Sequence, residues 1–143
     1  MSAMLVRLMY ASRAVPAVDQ EELLAILKKS KANNTRSGVT GALCFSEGIF
    51  MQVLEGGRSA VNQLYNRIAS DPRHSAVVLL AYDEIAERRF AGWSMGQVNM
   101  QRLNPALLLK YSECARLDPY AVSGKVSMAL FDELVATAAI MGQ

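Results

Sequence analysis

A polar side chain interrupts the most apolar run in the chain, and it limits how that run can fold. The run spans residues 49–54, and Gln52 lies in its middle. Because side chains alternate between the faces of a strand, Gln52 shares a face with Phe50 and Leu54. A buried carboxamide without a partner costs about 1–3 kcal/mol, so another polar group must bond it. Backbone groups could do so, which is the simpler explanation. A carboxamide can also donate and accept at once, which suits a switch.

Composition and charge describe an ordinary globular domain of 143 residues, with 52% hydrophobic and 20% charged residues. A scattered net charge of +2 does not indicate a nucleic-acid surface. Cys44, Cys114 and a single histidine predict neither a disulfide framework nor a metal site. Neither a membrane helix nor a signal peptide is evident. We therefore expect a cytoplasmic, metal-free protein that binds neither nucleic acid nor membrane.

Hydrophobic periodicity and turn residues predict the secondary structure. The predicted strands are residues 5–10, 39–46, 49–54, 76–82 and 93–98. A first helix begins at a capping box of Asp19 and Glu22, and Asn33 and Asn34 are placed in its exit loop. A second helix begins with Ser59 as its N-cap. The order βαββαββ predicts a ferredoxin-like α+β fold, a mostly antiparallel five-stranded sheet with two helices on one face.

The character of the sequence changes after residue 100. Asn104 and Pro105 are typical of a helix start, and a second helix is predicted from about Ser123. Its apolar stripe comprises Leu130, Phe131, Leu134, Val135, Ala138 and Met141. We divide the chain into a sheet domain at residues 1–100 and a helical extension at residues 101–143. The stripe must be buried either on the sheet or on a partner.

The predicted fold brings four features together. Tyr10 lies at the end of the first strand, Asn34 just after the first helix and Gln52 on the third strand. Trp93 and Met95 open the last strand and are predicted to face the same way. A neutral tyrosine hydroxyl can donate to the Gln52 amide. Taken singly, each of these residues has a structural explanation as a core or surface side chain.

Together these residues and their neighbours closely resemble the BLUF family of blue-light sensors. The resemblance runs from about residue 5 to residue 100. The matching stretches are residues 7–12, 33–41, 50–56, 71–74 and 93–95. Several motifs in the right order and spacing make the match specific. It implies a flavin held without a covalent link, FAD with FMN as a possibility, and a ring inserted between the two helices.

The resemblance also implies which residues bind this cofactor. They are Ile26, Asn33, Asn34, Gln52, Arg67, Ile68, Arg73 and His74. Asn34 matches the asparagine that bonds the polar edge of the ring, and Asn33 matches a looser contact beside it. Ile26 and Ile68 match the aliphatic residues on either side of the ring. The two arginines and His74 match positions near the ribityl and phosphate end.

The family's photocycle is implied as well. Tyr10 gives an electron and then a proton to the excited flavin, and recombination leaves the Gln52 amide rotated or tautomerised. A new hydrogen bond to the flavin then shifts the absorption to the red. Trp93 and Met95 relay the change to the tail helices. No net reaction results, so the resemblance implies a photoreceptor and not an enzyme.

The sequence thus favours a light-regulated interaction protein of the short family type. It would control a downstream signalling protein, and we expect a homo-oligomer. Two alternatives remain open at this point. One is a flavin-dependent oxidoreductase on the same fold, although no dinucleotide fingerprint follows a strand. The other is a ligand-free interaction module.

Overall fold

The computed structural model describes residues 4–15, 19–137 and 140–141. The elements in chain order are β1 (Leu5–Ala14), α1 (Gln20–Ser37), β2 (Thr40–Ser46), β3 (Ile49–Gly57), α2 (Arg58–Ser70), β4 (His74–Ile85), β5 (Gly96–Val98), a 3₁₀ turn (Met100–Arg102), α3 (Pro105–Tyr111), α4 (Gly124–Thr137) and β6 (Ile140–Met141). The strand order is β4-β1-β3-β2-β5-β6. The ferredoxin-like sheet is therefore confirmed, with a two-residue sixth strand at its edge. Within the described residues, no helix is both long and apolar enough to cross a bilayer.

β3 lies at the centre of the sheet and fixes the register. It pairs antiparallel with β1, which places Tyr10 opposite Gln52. It also forms the predicted hairpin with β2, closed by Glu47 and Gly48 in positive-φ conformations. β5 runs parallel to β2, so the sheet is mixed. The register alone thus brings the two candidate photoactive residues side by side.

The two faces of the sheet carry separate cores. Phe50 and Leu54 of β3 lie on one face together with Tyr10, packed against α1 and α2. Met51 and Val53 lie on the other face, where the residues of the tail pack. Phe131 and Leu134 of α4 are fully buried there. The predicted alternation along the apolar run is confirmed, and the tail stripe covers the sheet of its own chain.

The start of α4 lies very close to the edge strand β4. A Cβ atom on Gly124 would lie 1.8 Å from the Leu80 carbonyl oxygen. Real Cβ atoms do not approach so closely, so any other residue at this position would push the helix away from the strand. The glycine therefore permits the docking of α4 on the sheet.

Both ends of α1 have clear causes, and the predicted C-terminal end was wrong. Asp19 caps the start by accepting from the Glu22 N–H at 2.8 Å. The helix continues through Asn33 and Asn34, which we had placed in an exit loop, and ends at Gly38 in the left-handed conformation with φ 73°. A glycine tolerates that conformation without steric cost, so it, and not the asparagine pair, is the stop signal.

Several further boundaries differ from the prediction. β1 continues past Tyr10 to Ala14, and β3 continues to Gly57. Gly57, not Ser59, occupies the N-cap of α2, and it provides no side-chain hydrogen bond. β4 extends to Ile85 because it pairs along the whole length of β1. The tail helix ends at Thr137, and Met141 pairs with β5 as a strand instead of continuing the stripe. Ala138 lies outside the described residues.

Candidate functional site

A cavity of about 430 Å³ opens between α1, α2 and the sheet. All eight residues predicted to bind the cofactor line it, together with Tyr10; they are Ile26, Asn33, Asn34, Gln52, Arg67, Ile68, Arg73 and His74. They come from the two helices α1 and α2, the three strands β1, β3 and β4, and the turn that follows α2. Their convergence on one cavity is a property of the fold that no single segment displays.

A chain of hydrogen bonds leads from two residues of the cavity lining to the buried Met95. The Tyr10 hydroxyl donates to Gln52 Oε1, and Gln52 Nε2 donates to the Met95 sulfur at 3.2 Å. Gln52 is only 6% exposed and Tyr10 only 1%, so both ends of the buried amide have a partner. A thioether is a weak acceptor. The amide is therefore held firmly at its oxygen and weakly at its nitrogen, which favours rearrangement over a fixed geometry.

Burial keeps the Tyr10 phenol protonated. Removal from water raises the pKa of Tyr10 far above its ordinary value of 10, and the neighbouring Tyr65 and Asp71 raise it further. A neutral phenol donates its hydrogen bond to Gln52 at any physiological pH.

Asn34 joins α1 to the segment that precedes β5. Its side chain is 2% exposed, and its Nδ2 donates to the Ser94 carbonyl at 3.0 Å. Asn33 is half-buried, and its Oδ1 accepts from Arg36 at 2.9 Å. The two asparagines thus have different surroundings. Only Asn34 is fixed by the far side of the site.

Charged side chains surround the mouth of the cavity. Arg73 binds Asp71 through its Nη2 at 2.6 Å, and this hydrogen bond is the main cause that lowers the pKa of Asp71 to about 2. Lys29 and Arg67 add two further positive charges. Asp71 neutralises Arg73, and Glu22 in the same lining offsets one of the other two cations. The three cations and two carboxylates leave a net charge of +1, which suits a phosphate.

His74 lies on the cavity wall beside Tyr10. Its Nδ1 is 2.7 Å from the hydroxyl of the fully buried Ser12, and its ring lies 5.1 Å from that of Phe50. Burial lowers the pKa of His74 below its ordinary 6.5, against the opposing effect of Asp71. The neutral imidazole is therefore the form that the folded protein favours.

This depressed pKa predicts a pH-dependent stability. Because the folded state binds the His74 proton more weakly than the unfolded chain, stability is complete above about pH 6.5 and falls as the pH drops through the folded pKa. We expect the free energy of unfolding to fall more between pH 7.5 and 5.5 in the parent than in a His74→Gln variant. Denaturant titrations at the two pH values measure this. Parallel losses in both proteins would contradict it.

Trp93 and Met95 lie on opposite faces of the sheet, so the prediction that they face the same way was wrong. β5 begins only at Gly96, so neither residue belongs to a strand and the alternation rule does not apply to them. Met95 is fully buried beside Tyr10. Trp93 packs on the opposite face, with its ring 5.4 Å from Phe90.

Sequence reasoning missed several residues that line the cavity: Glu22, Ala25, Lys29, Ser30, Leu43, Phe50, Leu64 and Asp71. Of those on α1, Glu22, Lys29 and Ser30 lie three or four residues from Ile26, and Ala25 lies three or four residues from Glu22 and Lys29. A helical periodicity drawn through Ile26 would have found them. Of the two strand residues, Phe50 could have been found by strand alternation, since it shares a face with Gln52, and Leu43 lies opposite Gln52 in the hairpin.

Comparison with known families shows to which family the chain belongs. A family model described as BLUF, sensors of blue-light using FAD, matches residues 5–96. The chain belongs to the BLUF family. Blue-light sensing through a bound flavin is therefore its function class, and the cavity lies within the matched segment.

Known BLUF structures align with nearly the whole length of this chain. The dark-state structure of BlrB, described as a BLUF protein, is 33% identical, with a TM-score of 0.79, and the match covers 95% of this chain and 98% of that one. The photo-activated state of BlsA is 28% identical with a TM-score of 0.81, over 95% and 99% of the two chains. The architecture, tail included, is thus shared with other BLUF proteins.

A curated BLUF relative is much longer. Photoactivated adenylate cyclase subunit beta of Euglena longa is 34% identical over 100 residues, which is 69% of this chain and 12% of that protein. The match thus spans about an eighth of the relative's length. The cyclase activity in its name belongs to that protein.

Proposed function

We propose that this BLUF protein binds FAD in the cavity between α1 and α2 and senses blue light through the hydrogen bonds of Gln52. The observation that carries the proposal is the hydrogen-bonded chain from Tyr10 through Gln52 to Met95, of which Tyr10 and Gln52 line the cavity. It links a buried donor, a buried amide and a residue next to β5. The rearrangement of one amide there reaches two different parts of the fold.

The lining of the cavity fits a flavin. Ile26 and Ile68 face the cavity from its two helices and offer apolar contact to the sides of a flat ring. Asn34 and Gln52 offer amides to its polar edge. Lys29 lies with the arginines at the mouth, where a phosphate would meet positive charge. FMN shares the ring, the ribityl chain and the first phosphate, so it is the second candidate.

When bound, a photoexcited flavin supplies a strong one-electron oxidant within the cavity. Tyr10 would give an electron and its phenolic proton to that oxidant and would regain both within one cycle, so no net oxidation would remain. Gln52 loses the donor at its oxygen for that interval and is held only weakly by the Met95 sulfur. Its amide can then settle in a second arrangement, which changes the hydrogen bonds that it offers to the cavity.

The output follows from where Met95 lies. It is next to β5, which pairs with β6, and the nearby Trp93 packs with the residues that contact α4. A change at Met95 therefore biases the packing of the tail, residues 101–143, on the sheet between two arrangements. We propose that this controls association with a downstream signalling protein or with further copies of the chain.

An enzymatic role is the rival function. A flavin-dependent oxidoreductase would need its flavin to stay reduced between the two half-reactions of a turnover and to meet a substrate. The floor of this cavity instead holds a tyrosine beside a rearrangeable amide, which favours a cycle that restores its starting state. We therefore propose a photoreceptor without enzymatic activity of its own.

The placement of the flavin is tested with Asn34. We expect Asn34→Ala to weaken FAD binding by roughly fivefold to a hundredfold, since losing a buried hydrogen bond costs about 1–3 kcal/mol. Asn33→Ala is the matched control. Its oxygen already accepts from Arg36, so we expect a smaller loss. Flavin fluorescence titration of the apoprotein measures both, and unchanged affinity in Asn34→Ala would refute this position for the polar edge.

A further inference from the structure

Glu55 is the only charged side chain that is buried among the described residues, with an exposure of 0%. It lies on β3, three residues after Gln52, and it points to the opposite face of the sheet. Burying a charge is costly unless it is paired and fully hydrogen-bonded. Its position so close to the photoactive residue suggests a role beyond packing.

The Glu55 carboxylate is satisfied from two directions. Oε2 accepts from Arg7 Nε of β1 at 2.7 Å. Oε1 accepts from two backbone N–H groups, those of Arg89 at 2.9 Å and Phe90 at 2.7 Å. These two amides belong to the connection between β4 and β5, residues 86–95. One side chain thus fastens this connection to the central strand.

The connection has to cross the whole sheet. β4 and β5 are separated by β1, β3 and β2, so the four spacings between them amount to about 19 Å. Glu55 lies on β3, which is halfway between β4 and β5, and it bonds the connection near its midpoint. One end of the connection carries Met95, which accepts from Gln52.

The fastened midpoint also contacts the tail. The Phe90 ring lies 6.2 Å from Phe131 of α4 in an edge-on arrangement. The Arg89 guanidinium forms an ion pair with Asp132 on the same helix. The two residues whose amides bond Glu55 therefore have their side chains against α4.

We propose that Glu55 is a positioning residue that couples the flavin site to α4. Because the Glu55 carboxylate bonds the midpoint of the connection to β3, a displacement of β3 or of Met95 also moves Phe90 and Arg89. Without these hydrogen bonds the connection could bend and leave both residues in place. The site would then still respond to light, but α4 would not follow. The inference rests on the proposed relay and assigns it a specific residue.

A purely structural Glu55 would act through its ion pair, so the test removes that pair in both variants. The first combines Arg7→Gln with Glu55→Gln, which keeps an acceptor for the two amides. The second combines Arg7→Gln with Glu55→Leu, which has none. The two proteins have the same charge and side chains of similar size at position 55. They differ in the hydrogen bonds to the connection.

The readouts are the flavin absorption and the hydrogen exchange of α4 amides, each in the dark and under blue light. We expect both variants to keep the light-induced red shift. We expect the glutamine variant to keep most of the exchange change in α4, and the leucine variant to lose it by at least about fivefold, the low end of typical coupling. Equal exchange changes in both would overturn the proposal.

The parent protein separates this inference from the proposed function. A parent without a red shift contradicts the proposed function, whereas a parent with a red shift and an α4 response leaves the variants to decide. If the leucine variant fails to bind flavin, exchange at Arg89 and Phe90 in the parent decides. If both amides are protected from exchange in the dark and under light, the hydrogen bonds to Glu55 persist and the proposal is supported. If this protection is lost under light while α4 still responds, the proposal is overturned.

Discussion

Tyr10→Phe will keep its flavin and lose the light-induced red shift. The ring stays in place, since it packs 5.8 Å from the Tyr65 ring on α2. The hydroxyl that donates to Gln52 is removed, and with it the proton that the cycle needs. The buried Gln52 oxygen loses its donor, so we also expect a cost of about 1–3 kcal/mol in the free energy of unfolding. Absorption spectra before and during illumination measure the first effect.

Tyr65→Phe is the matched control for that variant. Tyr65 contacts the Tyr10 ring, but no hydrogen bond joins it to Gln52, whose oxygen is bonded by Tyr10. We expect a normal red shift after this substitution. A full shift in Tyr10→Phe would remove the phenol from the mechanism, whatever the control shows.

The second large effect is expected for Gln52→Leu. Leucine fills much of the same volume but offers no amide, so the Tyr10 hydroxyl loses its acceptor and Met95 its donor. We expect flavin to remain bound and the red shift to disappear, since no hydrogen bond is left to rearrange. The light-minus-dark spectrum of the flavin-loaded variant is the measurement.

Gln97→Leu provides the comparison. Gln97 is also a buried glutamine, at 8% exposure, but it lies on β5 and outside the cavity lining. It should lose stability without losing the red shift. Photoactivity retained in Gln52→Leu would show that the amide is not the switching group.

The fold could be predicted where local periodicity and tertiary packing agree. The alternation around Gln52 gave the correct face, and the turn at Glu47 gave the hairpin, because both depend on residues adjacent in sequence. The end of α1 was misplaced because asparagines are poor helix formers on average, whereas tertiary contacts hold Asn34 in the helix. The tail strand at Met141 depends on pairing with β5, far away in sequence.

Part of the candidate site could likewise be predicted from the sequence, and part could not. The eight residues inferred from family motifs converge on one cavity, and Tyr10 bonds Gln52 as expected. The opposed positions of Trp93 and Met95 could not be predicted from the sequence, because strand alternation does not apply to residues 86–95. This connection enters the sheet as a strand only at Gly96. Glu55 was overlooked for a related reason. Besides Arg7, its partners are backbone amides 34 and 35 residues away, and backbone groups leave no mark in a sequence.

The central claim is that light reversibly rearranges the hydrogen bonds of Gln52 without net redox chemistry. The most direct measurement is the visible spectrum of the FAD-loaded protein in the dark, under blue light and after return to darkness. The claim predicts a small red shift of an otherwise intact flavin band, followed by full thermal recovery. A band that bleaches, as it does when flavin is reduced, or one that does not respond, would contradict it.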